Sequence, residues 1–271
     1  MLGSLFRKGG RSPARRVTVV PEGTVVWAVG DVHGRLDLLA PLIEAILTDL
    51  EGSTAQRRVV VMLGDYVDRG PASRGVIDLL CDLSERADIE THFLRGNHED
   101  RFEAFLSQPE VGPGWCDYGG REALASYGVP VPALRSAAED WETACAEINA
   151  ALPDRHRRFL AGLTYAFALG DYFFAHAGAR PGTDLALQEP EDLMWIRSEF
   201  LQSAAPFDKL IVHGHTPVDQ VHADHRRIAI DTGAYATGVL TGLRLEGARR
   251  DLLQARAAGA AISLTAGGLT S

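Results

Sequence analysis

A chain of 271 residues with 46% hydrophobic and 23% charged residues has ordinary globular proportions, which excludes collagen-like, coiled-coil and wholly disordered architectures. That length suits one large domain or two small ones. The formal net charge is −9, a sign that opposes non-specific binding to nucleic acid and repels phosphorylated substrates unless something local reverses the field.

Residues 1–16 carry Arg7, Lys8, Arg11, Arg15 and Arg16 and no acid. No apolar stretch follows those charges as a secretory signal requires, so residues 1–20 read as a flexible basic arm. Thr24 to Val29 is a β-branched strand ending at Gly30-Asp31. Leu36, Leu39, Leu42, Ile43 and Ile46 then recur at helical spacing. Arg58 to Leu63 is a second strand, ending at Gly64-Asp65, and a helix through Val76, Leu79, Leu80 and Leu83 follows. Thr91 to Leu94 is a third strand, ending at Gly96-Asn97-His98. Strand, loop and helix in succession imply parallel pairing with right-handed crossovers. Residues 107–162 read as a mostly helical insertion. Strand patterns return at 163–169, 171–176, 208–213, 226–230 and 238–245, close enough together to predict a second, more antiparallel sheet. The domain is expected over 21–250, with an Ala, Gly, Ser and Thr-rich surface tail over 251–271. No apolar run approaches the roughly 18 residues of a membrane span. Cys81, Cys116 and Cys145 form neither a CxxC pair nor a zinc spacing, which suits a reduced, cytoplasmic protein; Cys81 lies in an apolar run and is expected in the core.

The polar residues fall at strand ends. Asp31-Val32-His33-Gly34, Gly64-Asp65-Tyr66-Val67-Asp68-Arg69-Gly70, Gly96-Asn97-His98-Glu99, His176-Ala177-Gly178 and His213-Gly214-His215-Thr216-Pro217 each follow a predicted strand. Strand C-termini of an open α/β sheet converge on one crevice. Carboxylates and imidazoles without thiolates suit first-row divalent ions such as Mn, Fe or Zn. Six candidate ligands, Asp31, His33, Asp65, Asn97, His176 and His215, exceed the needs of one catalytic ion and suffice for two sharing a bridging carboxylate. Two such ions activate water and clamp the attacking and leaving oxygens of an in-line phosphoryl displacement, and their charge reverses the local field.

These five motifs, in this order over about residues 24–245, resemble the phosphoprotein phosphatase family of calcineurin-like metallophosphoesterases. The look is nearest to the bacterial and bacteriophage serine/threonine phosphatases, with Asp231 to Ala234 also fitting. The resemblance implies a two-sheet αββα sandwich. It implies that Asp31, His33 and the shared Asp65 hold one metal, and Asp65, Asn97, His176 and His215 the other, manganese being expected and Fe or Zn acceptable. It implies attack by a bridging hydroxide, His98 as general acid, Asp68 orienting its imidazole, and Arg69 gripping phosphate oxygens. Trp195-Ile196-Arg197 matches a second arginine of the bacteriophage enzyme, making Arg197 a second phosphate clamp and Arg180 a spare. Glu99 and Asp231 are expected as supports. Trp115, Tyr118 and Gly119-Gly120 line a groove or brace the insertion, His213 faces the core, and His92, His156, His222 and His225 are surface or structural.

The implied activity is phosphomonoester hydrolysis on phosphoserine or phosphothreonine, with a phosphorylated protein or small phosphoester as partner and neither nucleic acid nor membrane. Symmetrical dinucleoside tetraphosphate hydrolysis is the alternative, disfavoured by Asp68, and a non-catalytic scaffold is a third class. Oligomeric state is left open by these motifs.

Overall fold

β1 (Thr24–Val29) is buried along its whole length. Val25, Trp27 and Val29 turn toward one cluster of apolar side chains, Val26 and Ala28 toward another. A strand that is apolar at every position must be covered on both faces, and the architecture is built around that requirement. This computed structural model describes residues 17–133 and 135–269.

In chain order β1 is followed by α1 (Leu36–Gly52), β2 (Arg57–Met62), α2 (Ser73–Ser84), β3 (Glu90–Phe93) and α3 (Asn97–Phe105). The insertion supplies α4 (Gly112–Trp115), a π-turn at Cys116–Gly120, α5 (Arg121–Ser126), α6 (Ala138–Ala151) and α7 (Asp154–Ala161). Then come β4 (Ala166–Leu169), β5 (Tyr172–Ala175), α8 (Pro190–Trp195), α9 (Ser198–Leu201), β6 (Leu210–His213), β7 (His222–Ala223) and β8 (Arg227–Ala229). The chain closes with α10 (Ala234–Thr237), β9 (Val239–Glu246), β10 (Arg249–Ala258) and β11 (Ala261–Gly268).

One sheet has the order β11-β10-β9-β1-β2-β3, the other β4-β5-β6-β8-β7. β1, β2 and β3 are parallel, in register Trp27↔Val60 and Val61↔His92. Val59, Val61, Tyr172, Phe174, Val212, Ile228, Leu243 and Leu245 fill the space between the sheets. α1, α2 and the insertion cover the outer face of the first sheet. Phe173, Ala175 and Ile211 meet Leu193, Ile196 and Phe200 on the outer face of the second. Each buried aliphatic or aromatic side chain contributes about 1.5–3 kcal/mol relative to exposure. The result is an α/β sandwich of two mixed sheets between helical layers.

Three boundaries differ from expectation. The strand expected at 238–245 in the second sheet is β9, and it pairs antiparallel with β1 of the first, Ala28↔Leu243. Leu240 faces the helical core while Leu243 and Leu245 face the inter-sheet core, and only a place in the first sheet covers both. The expected tail over 251–271 is, through residue 269, the β10–β11 hairpin, anchored by buried Ala255 and by Leu252 and Leu253 on opposite faces. Residues 270 and 271 lie outside the described residues, as do residues 1–16 of the basic arm. The remainder of that arm is docked: Val20 is buried and its N–H donates to the Gly247 carbonyl at 3.1 Å.

Candidate active site

Five residues other than glycine have positive φ among those described: His33 (45°), Asp65 (52°), Asp68 (72°), Arg69 (65°) and His215 (64°). All lie in the loops that leave β1, β2 and β6. The left-handed region costs a residue with a Cβ on the order of 1 kcal/mol or more and persists only where surroundings enforce it. Strain is therefore concentrated where the polar side chains converge.

Asp65 is the centre. Its Oδ2 lies 3.4 Å from His33 Nε2 and 3.9 Å from His98 Nε2, while its Oδ1 lies 3.4 Å from His176 Nε2. One carboxylate thus presents an oxygen to each of two groups of imidazoles. On the second side Asn97 Oδ1 stands 3.0 Å from His176 Nε2 and 2.8 Å from His215 Nδ1. His33 Nδ1 is 3.0 Å from the Val67 carbonyl and His176 Nδ1 is 2.9 Å from the Leu63 carbonyl. A carbonyl only accepts, so both Nδ1 atoms carry the proton and both Nε2 lone pairs face the cluster. Asp31 Oδ2 accepts the His215 backbone N–H at 2.9 Å, and its Oδ1 is buried without a hydrogen-bond partner.

Glu99 supports this arrangement from beneath. Its Oε2 accepts the N–H groups of Asp65 (2.9 Å) and Gly96 (3.0 Å), its Oε1 those of Tyr66 (2.7 Å) and Val67 (3.2 Å). One buried side chain thereby satisfies the donors of two adjoining loops. Gly96 is required for the same approach, since a Cβ there would lie 2.2 Å from Asp65 Oδ1.

His98 Nδ1 bonds Asp68 Oδ2 at 2.7 Å, leaving Nε2 toward the cluster. Trp115 Nε1 donates to the same Asp68 oxygen at 2.8 Å, and Ser73 Oγ accepts the Asp68 N–H at 3.0 Å. Arg69 reaches His33 Nε2 and His98 Nε2, both at 3.1 Å, and its guanidinium lies 4.4 Å from the centre of the Tyr235 ring. Tyr235 also meets the His33 ring edge to face at 5.2 Å.

Burial lowers the basicity of His33 to about 3 and of His215 to about 2, so both are neutral donors of a lone pair. Burial also penalises the Asp65 charge, but the His176, His98 and His33 imidazoles outweigh it and hold the carboxyl below its usual range. Asp31 is pushed well up by burial, then by Asp231 and Asp65, and Asp231 rises to about 6, chiefly by burial. His98 is opposed by burial yet raised on balance by Asp65 and Asp68.

The structure brings Asp31, His33, Asp65, Asn97, His98, His176 and His215 together. His33, Asp65 and His98 can each place a ligand atom within 4.8 Å of the others, as can Asp65, His176 and His215. The first triple holds His98 where the motifs had suggested Asp31, which stands alongside with its unpartnered oxygen. Two carboxylates, an amide and neutral imidazoles, with one carboxylate shared, fit a pair of divalent cations. Arg197 is near enough for its charge to depress His176 and His215, and it lines a cavity of about 550 Å³ with Trp195, Glu191 and Glu199. Arg180 opens on that cavity too, but its Nε is bound to Asp192 at 2.6 Å rather than to any ligand candidate. His213 is fully buried, held by the Gly214 carbonyl and Arg227, outside the cluster. Tyr118 is exposed, and only its carbonyl approaches Arg69 Nε, at 3.4 Å. Two contributors were missed by sequence reasoning: Tyr235 at the mouth, and Trp115 as a partner of Asp68. Their only signal was position, four residues past Asp231 and within the insertion nearest the third motif.

Strand-end carboxylates and imidazoles around a shared aspartate define a metal-dependent hydrolase of phosphate esters. The calcineurin-like phosphoesterase family profile matches residues 24–239, and the chain belongs to that family. It is 26% identical over 245 residues to the asymmetrical bis(5′-nucleosyl)-tetraphosphatase PrpE of Halalkalibacterium halodurans, covering 80% of this chain and 88% of that one. It is 37% identical over 83 residues to the serine/threonine-protein phosphatase 6 catalytic subunit of Caenorhabditis elegans, covering 31% of this chain and 23% of that one. Among solved structures it resembles the cold-active protein-tyrosine phosphatase of a psychrophilic Shewanella, with a TM-score of 0.51 at 19% identity over 92% of this chain and 83% of that one; that likeness concerns the fold.

Proposed function

We propose that this metallophosphoesterase is a phosphomonoester hydrolase acting on phosphoserine or phosphothreonine. The observation that carries the reading is the buried Asp68–His98 pair. A serine or threonine alkoxide is a poor leaving group and needs a proton as the P–O bond breaks. A nucleotide phosphate leaves readily without one. A hydrogen-bonded Asp-His pair with Nε2 toward the reacting centre supplies that proton, and general acid catalysis of this kind contributes about 10²–10⁴-fold.

Asp31, His33 and Asp65 would hold one divalent cation, and Asp65, Asn97, His176 and His215 a second, manganese being our choice. When bound, such ions lower the pKa of water and neutralise phosphate charge. The chain's own residues do the rest. Asp68 fixes the His98 tautomer so that the proton sits at Nδ1 toward Asp68 and, in the cationic form, also at Nε2 toward the leaving oxygen. Arg69 stands against His33 and His98, and the charge of Arg197 bears on His176 and His215; both can fork onto phosphate oxygens, while the Asp192 bond makes Arg180 the weaker choice. Glu99 and Asp231 hold loops and carboxylates in place. All three cysteines are buried and free, which supports a reducing, cytoplasmic setting; among the described residues no helix is long and apolar enough to cross a membrane.

Dinucleoside tetraphosphate hydrolysis is the second reading, favoured by the length over which the chain matches a protein named for that activity. A substrate panel with Mn²⁺ separates the two. The first expects turnover of phosphoserine peptides, with His98→Asn lowering that rate by about 10²–10⁴-fold and p-nitrophenyl phosphate, whose leaving group needs little protonation, by much less. Rapid cleavage of dinucleoside tetraphosphate with phosphopeptides and p-nitrophenyl phosphate left intact would overturn it.

A further inference from the structure

The two sheets have four outer edges. Three are short: β3 and β4 have four residues each and β7 has two. β3 also carries Glu90, ion-paired with Arg57 at 2.8 Å, and is prolonged by a bridge from Leu94 to Thr164. Short, charged or covered edges are how sheets avoid unwanted pairing. β11 has none of these protections. It runs eight residues, AISLTAGG, without charge, proline or bulge, in continuous register with β10 from Ala258↔Ala261 to Asp251↔Gly268.

The hydrogen-bonding phase of that edge is fixed. Leu269 N–H donates to the Arg250 carbonyl at 3.0 Å, and Ala257 N–H donates away from β11, to the Gly238 carbonyl at 2.8 Å. Odd-numbered residues of β11 therefore bond inward to β10. Ile262, Leu264, Ala266 and Gly268 turn their N–H and C=O groups outward, and among the described residues no strand pairs with that side. Ile262 packs on the helical core, so Leu264, two residues on, shares its face and remains 43% exposed.

We propose that β11 pairs with β11 of a second copy of this chain, antiparallel about a two-fold axis, joining two six-stranded sheets into one. The pattern of side chains is self-complementary in this register. Leu264 stands beside its own copy at the axis, and each Ile262 stands beside the small Ala266 of the other strand. Charge points the same way. A molecule of net charge −9 repels its copy at most approaches, but no side chain from Ala257 to Ser271 is charged. On the neighbouring β10, Arg249 is paired with Asp251 and Arg250 donates to the Tyr172 hydroxyl. The edge strand is thus an uncharged part of an acidic molecule, where no side chain of β11 repels its own copy. One strand edge is a contact at the small end of specific interfaces, so the dimer is expected to be concentration-dependent.

Light scattering on the full chain after size exclusion tests this. The mass should rise from 29.3 kDa toward twice that value between about 1 and 100 μM, the range of a modest interface. Ala266→Pro removes an outward N–H that bonds nothing among the described residues, a position where an edge strand accepts proline. It should leave the melting temperature unchanged and hold the protein monomeric across the range. Leu264→Cys adds one exposed thiol to a chain whose three cysteines are buried. Opposed Cα atoms about 5.5 Å apart lie within disulfide reach, so mild oxidation should give a covalent dimer. A wild-type chain that stays monomeric at every concentration overturns the proposal. So does a dimer that Ala266→Pro leaves intact and that Leu264→Cys does not cross-link.

Discussion

Asp68 carries two N–H donors on one oxygen, His98 Nδ1 and Trp115 Nε1, while its Oδ1 is buried with no partner. With His98 as the proposed acid, Trp115 acts on it through Asp68, by fixing the carboxylate plane to which the imidazole is hinged. Trp115→Phe keeps most of the packing against Phe102 and Phe105 and removes only the donor. A lost hydrogen bond of about 1–1.5 kcal/mol corresponds to about a tenfold fall in phosphoserine turnover, with little change for p-nitrophenyl phosphate; equal losses on both substrates would mean the tryptophan merely braces the insertion. At Gly214 the constraint is steric, because a Cβ would sit 2.0 Å from Asp31 Oδ1. Gly214→Ala should displace that oxygen and cut bound manganese, read by metal analysis after dialysis, toward one ion per chain or fewer. The ligand candidates were legible because each motif keeps its polar residue within two positions of a glycine at a strand end. Trp115 and Tyr235 were not, since what each does depends on a partner 47 or more positions away, Asp68 for the first and Arg69 for the second.

At the scale of elements, a buried histidine helps tie the insertion to α2. His156 of α7 is fully buried, its Nδ1 2.9 Å from the Tyr127 hydroxyl and its Nε2 2.9 Å from Asp78 Oδ1 on α2. The neutral tautomer satisfies both: Nδ1 accepts from the phenol, and Nε2–H donates to the carboxylate. Burial lowers the His156 pKa below 6.5. Below the unfolded value, near 6.5, the unfolded chain takes up the proton and the folded chain resists it, so stability falls as the pH drops. Between pH 7.5 and 5.5 this group should therefore cost stability as the pH falls, seen as a lower urea midpoint. His156→Gln, which can still accept and donate but does not titrate, should flatten that part of the profile; an unchanged slope would assign the acid sensitivity to other groups. The sequence left His156 as surface or structural; its burial decides for the second, and this clamp was not legible, since helical periodicity locates a side chain on a face but not its partners on another helix. The same limit misplaced β9 and the C-terminal hairpin. Local pattern identified 238–245 as a strand, while its sheet was decided by which neighbours could cover both of its faces.

For the whole molecule, the cost of the site is spread over the fold. Five strained residues and the buried carboxyls of Asp31, Asp65, Glu99 and Asp231 surround one point in a chain of net charge −9. Burial lifts Glu99 to about 7 and Asp231 to about 6, and raises Asp31 as well. Without cations, part of this charge is relieved by protons; cations compete for the same cluster, and their binding is tied to proton release. A ligand that binds only the folded chain stabilises it by about 2.7 kcal/mol at a hundredfold excess over its dissociation constant, which corresponds to roughly 5–10 °C in a protein of this size. Mn²⁺ added to chelator-stripped protein should therefore raise the melting temperature by that amount at pH 8. At pH 5.5 the increment should shrink, because the raised carboxyls then hold protons that the metal must displace. His176→Ala removes a ligand candidate on the Asp65 Oδ1 side, and most of the metal-dependent increment should disappear with it while the metal-free melting temperature moves far less. A melting temperature indifferent to chelation and to Mn²⁺ at both pH values would mean that the strained loops and buried carboxyls are stabilised by the protein alone, leaving the cluster without a metal to explain it.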